Sequence, residues 1–384
     1  MNLLFQKRRE FFQKIAKNAG PTFGTQQIVI THFLPDRPEL LEALDQISPI
    51  ALLVAIPYSI TSDVLDELKK RYNVATPSLS QLRDEQYMLD LIASLLESNP
   101  TVRFVFNEMG GYIAPLLNRL HTQFGSQIAG CVEGGQSGHM QYEKMRPLPY
   151  PVISTARSTL KEGDDTVMGP SCYYSADRLV GALGILLVQR RALVVGYGRV
   201  GRGVAFCLQE NGCTALVYDT NPIRNYVAHG DGMFIPDRLE ALKNCDIIFG
   251  CTGVTSVGGD DFDLLADGCF LVSCSSQDIE FDLQTLHTQF HQENILPNVD
   301  RFTSKKTKKK LYLLAGGTPI NLLEGAYFGP ELTLAQGELI TALKQVFTEK
   351  TIGELAELAN DQRKEIAENW MTIFIDPTTG AQLC

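Results

Sequence analysis

A chain of 384 residues, at roughly 150 per domain, has room for two to three domains and a large buried core, which excludes a small stapled scaffold. Hydrophobic residues make up 44% and charged residues 20%, an ordinary globular balance, and the net charge of −10 gives a field that repels phosphate backbones and acidic lipid. Neither nucleic acid nor a membrane is expected as a partner.

The first 160 residues alternate apolar runs with helical spacing. QQIVITHFLP (26–35) and ALLVAIPYSI (51–60) read as strands, and each precedes a helix-like segment, ELLEALDQI and DVLDELKKRY. TVRFVFNEMGG (101–111) and QIAGCVEGG (127–135) repeat the pattern, which predicts a mostly parallel sheet with helices on both faces. KEGDDTVMGP (161–170) is polar and turn-rich and reads as a surface loop near a domain boundary. After it SADRLVGALGILLVQ has helical spacing with Ser175 as its N-cap candidate, and it leads into RALVVGYG. TALVYD, CDIIFGCTG, CFLVSCS and KLYLLAGG complete five apolar strand candidates in the second block.

Lys305, Lys306, Lys308, Lys309 and Lys310 lack interleaved aromatics and predict a solvated hairpin. The tail from Thr351 has amphipathic helical spacing, with Trp370 in an apolar stripe suited to core or subunit contact. The nine cysteines are odd in number and contain no C-x-x-C pair, so neither a disulfide framework nor a metal site is expected. MNLLFQKRREFFQK carries its charges inside its apolar stretch, and no run reaches the roughly 18 apolar residues of a membrane span. The expectation is a soluble, cytoplasmic protein.

In VVGYGRVGRG, Gly196, Gly198 and Gly201 form G-x-G-x-x-G directly after a strand, with Arg199 and Val200 between the last two glycines. The first glycine allows a tight turn, the second lets a phosphate approach the backbone, and the third lets helix pack on strand. TALVYD then ends in Asp219, whose carboxylate can accept the adenosine ribose hydroxyls. That acid favours NAD over NADP, because it would repel a 2′-phosphate offered to Arg199 or Arg224. Thr252 and Gly253 of CTG suit a backbone approach to a ribose, or else form an ordinary strand-end turn.

GYGRVGRG, YDTNPI, CTG, VDRF and LLAGGTPINL follow one another in the order found in S-adenosylhomocysteine hydrolases, and the chain resembles that family most closely over 170–340. THFLPDRPELLEAL, NEMGG and CVEGGQSGHMQYEKM resemble its substrate-domain segments. The resemblance implies two α/β domains around a cleft in a homo-oligomer, dimer or tetramer, whose NAD oxidises a ribose 3′-hydroxyl. It puts Gly196, Gly198, Gly201, Asp219, Thr252 and Gly253 on NAD positions, Asn321 on a nicotinamide-contacting asparagine, and Cys172 near the nicotinamide.

On the substrate side the chain departs from the family. Arg157 and Lys161 stand for a lysine and an aspartate that steer the oxidation, Tyr112 for an aspartate base, Gly134 for a glutamate, and Ser276 and Gly329 for two histidines. AENWMTIFIDPTTGAQLC does not resemble the family's lysine- and tyrosine-bearing tail. His32 and Glu133 remain of the polar set. A positioned acid or base is worth roughly 10²–10⁴ in rate, so S-adenosylhomocysteine hydrolysis itself is not expected. Two expectations follow: hydride transfer at a hydroxyl carbon of a nucleoside-like or other small hydroxylated substrate, or an inactive NAD-bound pseudoenzyme with a regulatory or protein-binding role.

The fold class expected is α/β, two doubly wound parallel-sheet domains: 1–169 of substrate type, 170–321 a Rossmann domain, and 322–384 a helical return and tail. His32, at a strand's carboxyl end, is a proton-transfer candidate or a loop residue. Asp36 either orients it or caps the helix beginning near Pro38. Glu133 is a ligand to a hydroxyl or a solvated carboxylate, and Tyr112 a donor or a packing aromatic. Arg157 cannot act as a base, but it can anchor an anionic group bidentately. Lys161 could supply a replacement amine, and His139 and Glu143 would share a helix face without making a metal site.

Overall fold

The computed structural model describes residues 3–275, 278–323 and 329–383, apart from the side chains of residues 162 and 164–166. The chain forms two compact units, residues 1–164 with 328–384, and residues 165–327.

The first unit carries β1 (Thr25–Phe33), β2 (Ile50–Ile60), β3 (Val74–Ala75), β4 (Arg103–Glu108), β5 (Ile128–Glu133) and β6 (Val152–Ser154). Their order across the sheet is β6, β5, β4, β1, β2, β3, with the short strand Leu355–Ala356 beside β6, and every pairing is parallel. Val29, Val105 and Val132 face a core built with the helices Leu3–Ala19, Pro38–Ile47, Pro330–Val346 and Asn360–Phe374. Ile28, Ile30, Phe106, Cys131 and Val152 face the opposite core, with Met88, Ile92, Leu117 and Tyr142. A sheet buried on both faces needs apolar residues at consecutive positions, which is why runs such as ALLVAI do not alternate with polar residues.

Because all the strands run the same way, their carboxyl ends lie on one edge. Counting in twos from Ile30, Phe106, Cys131 and Val152 puts His32, Glu108, Glu133 and Ser154 at that edge on one face.

The second unit carries β7 (Arg191–Val195), β8 (Thr214–Tyr218), β9 (Ile247–Gly250), β10 (Cys269–Ser273), β11 (Phe290–Leu296), β12 (Val299–Ser304) and β13 (Lys310–Leu314). The order is β11, β12, β13, β10, β9, β7, β8, with β7 to β10 and β13 parallel and the first two antiparallel. The five parallel strands are those legible in the sequence. The other two are not, since β11 is a polar edge strand with four consecutive exposed residues. The lysine cluster lies in the β12–β13 hairpin, where Lys308 adopts φ +65°.

Three expectations are corrected. Residues 161–170 are not a loop: a helix runs Glu162–Ala182, so Ser175 lies inside it and caps nothing. Acidic residues in a first turn favour a helix N-terminus, and Gly169 serves a close approach rather than a turn. A Cβ there would stand 2.2 Å from the carbonyl carbon of Gly203. The tail helix starts only at Asn360, because 351–359 is drawn to the sheet by the Leu355–Ala356 pairing and by Gly353 at φ +96° against Leu148. Asp36 is not the cap of Pro38–Ile47; that position is Arg37, without a side-chain cap bond.

Candidate functional site

In the second unit the three glycines of the turn after β7 are each required differently. Gly196 has φ +95°, and a Cβ on it would lie 2.7 Å from the carbonyl oxygen of Cys251. At Gly201 a Cβ would stand 1.9 Å from the Gly196 carbonyl oxygen, so only glycine lets the helix Arg199–Glu210 close on the strand. Around Gly198 nothing lies within 4 Å of an added Cβ. That open ground is at the N-terminus of a helix, whose unpaired amides and dipole suit a pyrophosphate. The residues present therefore fit a dinucleotide.

Asp219 follows β8, and its Oδ2 accepts the Tyr197 amide at 2.7 Å while Oδ1 accepts the Asn221 amide at 2.7 Å. Each oxygen keeps a lone pair for a ribose hydroxyl. Tyr197 donates its hydroxyl to Asp231 at 2.9 Å, and Arg202 grips the same carboxylate at 2.8 and 2.9 Å. Arg199 is exposed in the first helical turn, Arg224 is exposed beyond β8, and Val200 packs at the core margin.

Thr252 and Gly253 follow β9, and a residue that sequence reasoning missed holds them. Glu280, fully buried, accepts the Thr252 and Gly253 amides at 2.7 Å each with Oε1 and the Thr252 hydroxyl at 2.9 Å with Oε2. Ser275 also donates to Oε1. An acid set between the apolar residues Ile279 and Phe281 was the available signal, since a carboxylate drawn inward with them needs donors. Asn321 is buried, its Nδ2 2.9 Å from the Met168 sulfur, and Cys172 is buried in the core of this unit. Ser276 lies outside the described residues.

In the first unit His32 is half-buried at the end of β1, with Nδ1 2.6 Å from Ser59 Oγ and its ring 6.3 Å from that of Tyr58. Burial, and then the Arg37 charge, push its pKa down to about 3, so the imidazole is neutral. Asp36 belongs to a separate buried cluster. It pairs with Arg37, accepts Gln336 Nε2 at 2.5 Å, and its backbone carbonyl takes Arg8 Nη2 at 2.6 Å.

Glu133 is fully buried and turned toward backbone. Oε1 accepts the amides of Gly110 at 3.2 Å and Gly135 at 2.5 Å, and Oε2 accepts Gly111 at 2.9 Å. It thus ties the loops after β4 and β5 together. Glu108, opposite it in register, accepts the Ile113 amide at 3.1 Å and the Tyr142 hydroxyl. Burial raises both carboxyls, Glu108 to about 7 and Glu133 well above its ordinary range.

Arg157 is exposed and bidentate on Glu143, both bonds at 3.1 Å. Glu143 also meets His139 Nε2 at 3.3 Å, as the four-residue spacing predicts, and His139 Nδ1 is 2.8 Å from Ser154 Oγ. Lys161 Nζ donates to the Gly134 carbonyl at 3.3 Å, and Tyr112 is a buried packing residue. Gly329 is the N-cap of Pro330–Val346. Among the described residues no group of three His, Cys, Asp or Glu is placed to hold a metal, and no helix is long and apolar enough to cross a membrane.

Residues 172–326 match the family of S-adenosyl-L-homocysteine hydrolase NAD-binding domains. The adenosylhomocysteinase of Pyrococcus abyssi is 27% identical over 84% of this chain and 75% of its own length. That of Nostoc sp. is 24% identical over the whole of this chain and 90% of its own. Among solved structures, a 2-hydroxyacid dehydrogenase from Ketogulonicigenium vulgare Y25 superposes with a TM-score of 0.47 at 16% identity, covering 86% of this chain and 98% of that one. The turn geometry and the matched NAD-binding domain agree, and the cofactor is NAD.

Proposed function

For this chain, a divergent member of the S-adenosylhomocysteine hydrolase superfamily, we propose an NAD-dependent enzyme that oxidises a hydroxyl carbon of a small hydroxylated substrate, nucleoside-like in the first instance. The observation that carries the reading is the contrast within the glycine turn, where Gly196 and Gly201 admit no Cβ and Gly198 faces open ground. Bound NAD supplies the hydride acceptor, which no protein side chain can be. The turn 196–201 holds the pyrophosphate, Asp219 the adenosine ribose, and Thr252, Gly253 and Asn321 the far end.

His32 is the hydrogen-bond acceptor that aligns the substrate hydroxyl. Its neutrality favours that role, because a charged imidazolium has no lone pair to offer. Hydrolysis of S-adenosylhomocysteine is not the reaction proposed, since Arg157 and Lys161 replace the family's steering pair and Arg157 stays protonated at any working pH. A cytoplasmic homo-oligomer, dimer or tetramer, completes the proposal.

One observation favours a second reading, an inactive NAD-bound regulatory protein. Glu133 is fully buried against three backbone amides and Arg157 gives its fork to Glu143, so neither is presented to a ligand. The deciding experiment denatures the purified protein, identifies the released nucleotide by mass and absorbance, and incubates native protein with adenosine and with S-adenosylhomocysteine. Conversion to NADH supports the oxidative reading. Bound NAD inert to those and other hydroxylated substrates supports the second, and absence of any dinucleotide overturns both.

A further inference from the structure

Ser59 is an undistinguished residue in the sequence YSITS, yet it makes the only hydrogen bond to the His32 ring among the described residues. It is 3% exposed, near the end of β2, and its Oγ has two polar neighbours. The Ile56 carbonyl oxygen lies at 3.1 Å and His32 Nδ1 at 2.6 Å. A hydroxyl has one proton and a carbonyl can only accept, so these contacts fix the proton inventory. If Ser59 gave its proton to His32, its oxygen and that of Ile56 would face each other lone pair to lone pair in a buried place. If the proton goes to Ile56, the Ser59 oxygen is free to accept from Nδ1–H, and every atom is paired.

We propose that Ser59 is a positioning residue that locks His32 in the Nδ1–H tautomer and leaves Nε2 as the lone-pair nitrogen. Histidines are commonly oriented by a carboxylate or a backbone carbonyl. Here the nearby carboxylate, Asp36, holds Arg37 and Gln336 with its Oδ2 and makes no bond to the ring, and a serine relays the Ile56 carbonyl instead. A carboxylate at Nδ1 would raise the basicity of the ring and favour imidazolium. A serine hydroxyl sets the tautomer without adding charge, and burial, with the Arg37 cation behind it, keeps the ring neutral. His32 is therefore built as an acceptor that aligns a donor such as a hydroxyl, ready at any pH near neutrality. The lock follows from the Ser59 contacts alone; its consequence for turnover rests on the function proposed above.

The test is the ¹⁵N spectrum of the ring nitrogens in full-length protein labelled at histidine, with His32 assigned by the signals lost in His32→Gln. The expected result is a protonated Nδ1 and an unprotonated Nε2 in the natural protein, and a shift toward the Nε2–H form in Ser59→Ala. Ser59→Thr keeps the hydroxyl and restores the original pattern. An Nε2–H tautomer in the natural protein overturns the proposal with no variant needed, and so does a Ser59→Ala spectrum identical to it. If hydride transfer is found, Ser59→Ala lowers kcat by about 10-fold or more with KM little changed, within the span of a mispositioned acid or base. If no substrate is ever oxidised while the tautomer is as stated, the proposed function falls and the lock stands.

Discussion

A side-chain carbon on Gly201 would stand 1.9 Å from the carbonyl oxygen of Gly196, whereas one on Gly198, three residues earlier, would meet nothing. Gly201→Ala must therefore push the helix Arg199–Glu210 off β7, and a loss of at least about 3 kcal/mol is expected, beyond ordinary overpacking because backbone cannot yield. Gly198 has φ −74°, which any residue adopts, so Gly198→Val should leave the apo protein's unfolding midpoint unchanged. Its branched side chain occupies the ground meant for the pyrophosphate, and the NAD Kd should rise by about tenfold or more, roughly 1.4 kcal/mol. Thermal unfolding without NAD and calorimetric titration with it separate the two effects. Equal loss of stability in both variants would mean that the open space at Gly198 has no part in binding.

Glu280 receives two backbone amides and two hydroxyls without any exposure to water. Glu280→Ala leaves the Thr252 amide unpaired and the Gly253 amide with only Ser275 Oγ at 3.1 Å, and a cost of about 2–4 kcal/mol is expected from the unsatisfied buried groups. Glu280→Gln fares little better, since its amide nitrogen must face a donor. Urea unfolding with and without NAD gives the size, and because NAD binds the folded form, the gap between the two curves should shrink in the variants. An unchanged gap would mean that Glu280 holds the turn 252–253 for folding alone.

The dinucleotide half of this protein was legible because its physics is local. Gly196, Gly198, Gly201 and Asp219 lie within one strand–helix–strand unit, where Gly196 and Gly201 leave no room for a Cβ, Gly198 faces open ground and Asp219 ends the second strand. What escaped depended on contacts distant in the chain. Glu280 reaches Thr252 across 28 residues and Ser59 reaches His32 across 27, and neither partner marks the other in sequence. Glu133 was correctly set at a strand end, but its direction was hidden, because Gly110 and Gly111, 23 and 22 residues away, decide where the carboxylate points. The stretch 161–170 misled for another reason. Gly169 and Pro170 are turn residues by preference, and only the packing of Gly169 on Gly203 shows why a glycine suits a helix there.

Arg157 offers a cheap measure of whether its fork is available. The pair with Glu143 is exposed, with the arginine side chain at 45%, so Arg157→Ala should cost less than about 1 kcal/mol. Burial and then the Arg157 charge lower the His139 pKa while Glu143 raises it, so removing the guanidinium should move that titration upward, seen by NMR. If Arg157 also anchors an anionic group of the substrate, KM rises with kcat unchanged. An unmoved His139 titration would show that the Arg157–Glu143 pair is not formed in solution.

Glu108 and His32 stand on the same edge of the first sheet and couple stability to pH in opposite senses. Glu108 is a buried acid whose folded pKa is raised to about 7 from 4.5. The folded state holds its proton more tightly than the unfolded one, so its contribution is complete below about 4.5 and lost as pH rises through about 7. His32 is depressed to about 3 from 6.5, so it must gain a proton on unfolding, and its contribution is complete above 6.5 and lost as pH falls toward 3. Glu108→Gln keeps an oxygen for the Tyr142 hydroxyl and the Ile113 amide but cannot ionise. It should be about as stable as the natural protein near pH ~5 and more stable by about 1–3 kcal/mol near pH ~8, by urea unfolding at each pH. His32→Gln should do the reverse, losing its disadvantage as the solution is acidified. A Glu108→Gln variant that is less stable at both pH values would mean that the ionised carboxylate is what the Tyr142 hydroxyl and the Ile113 amide were built to hold.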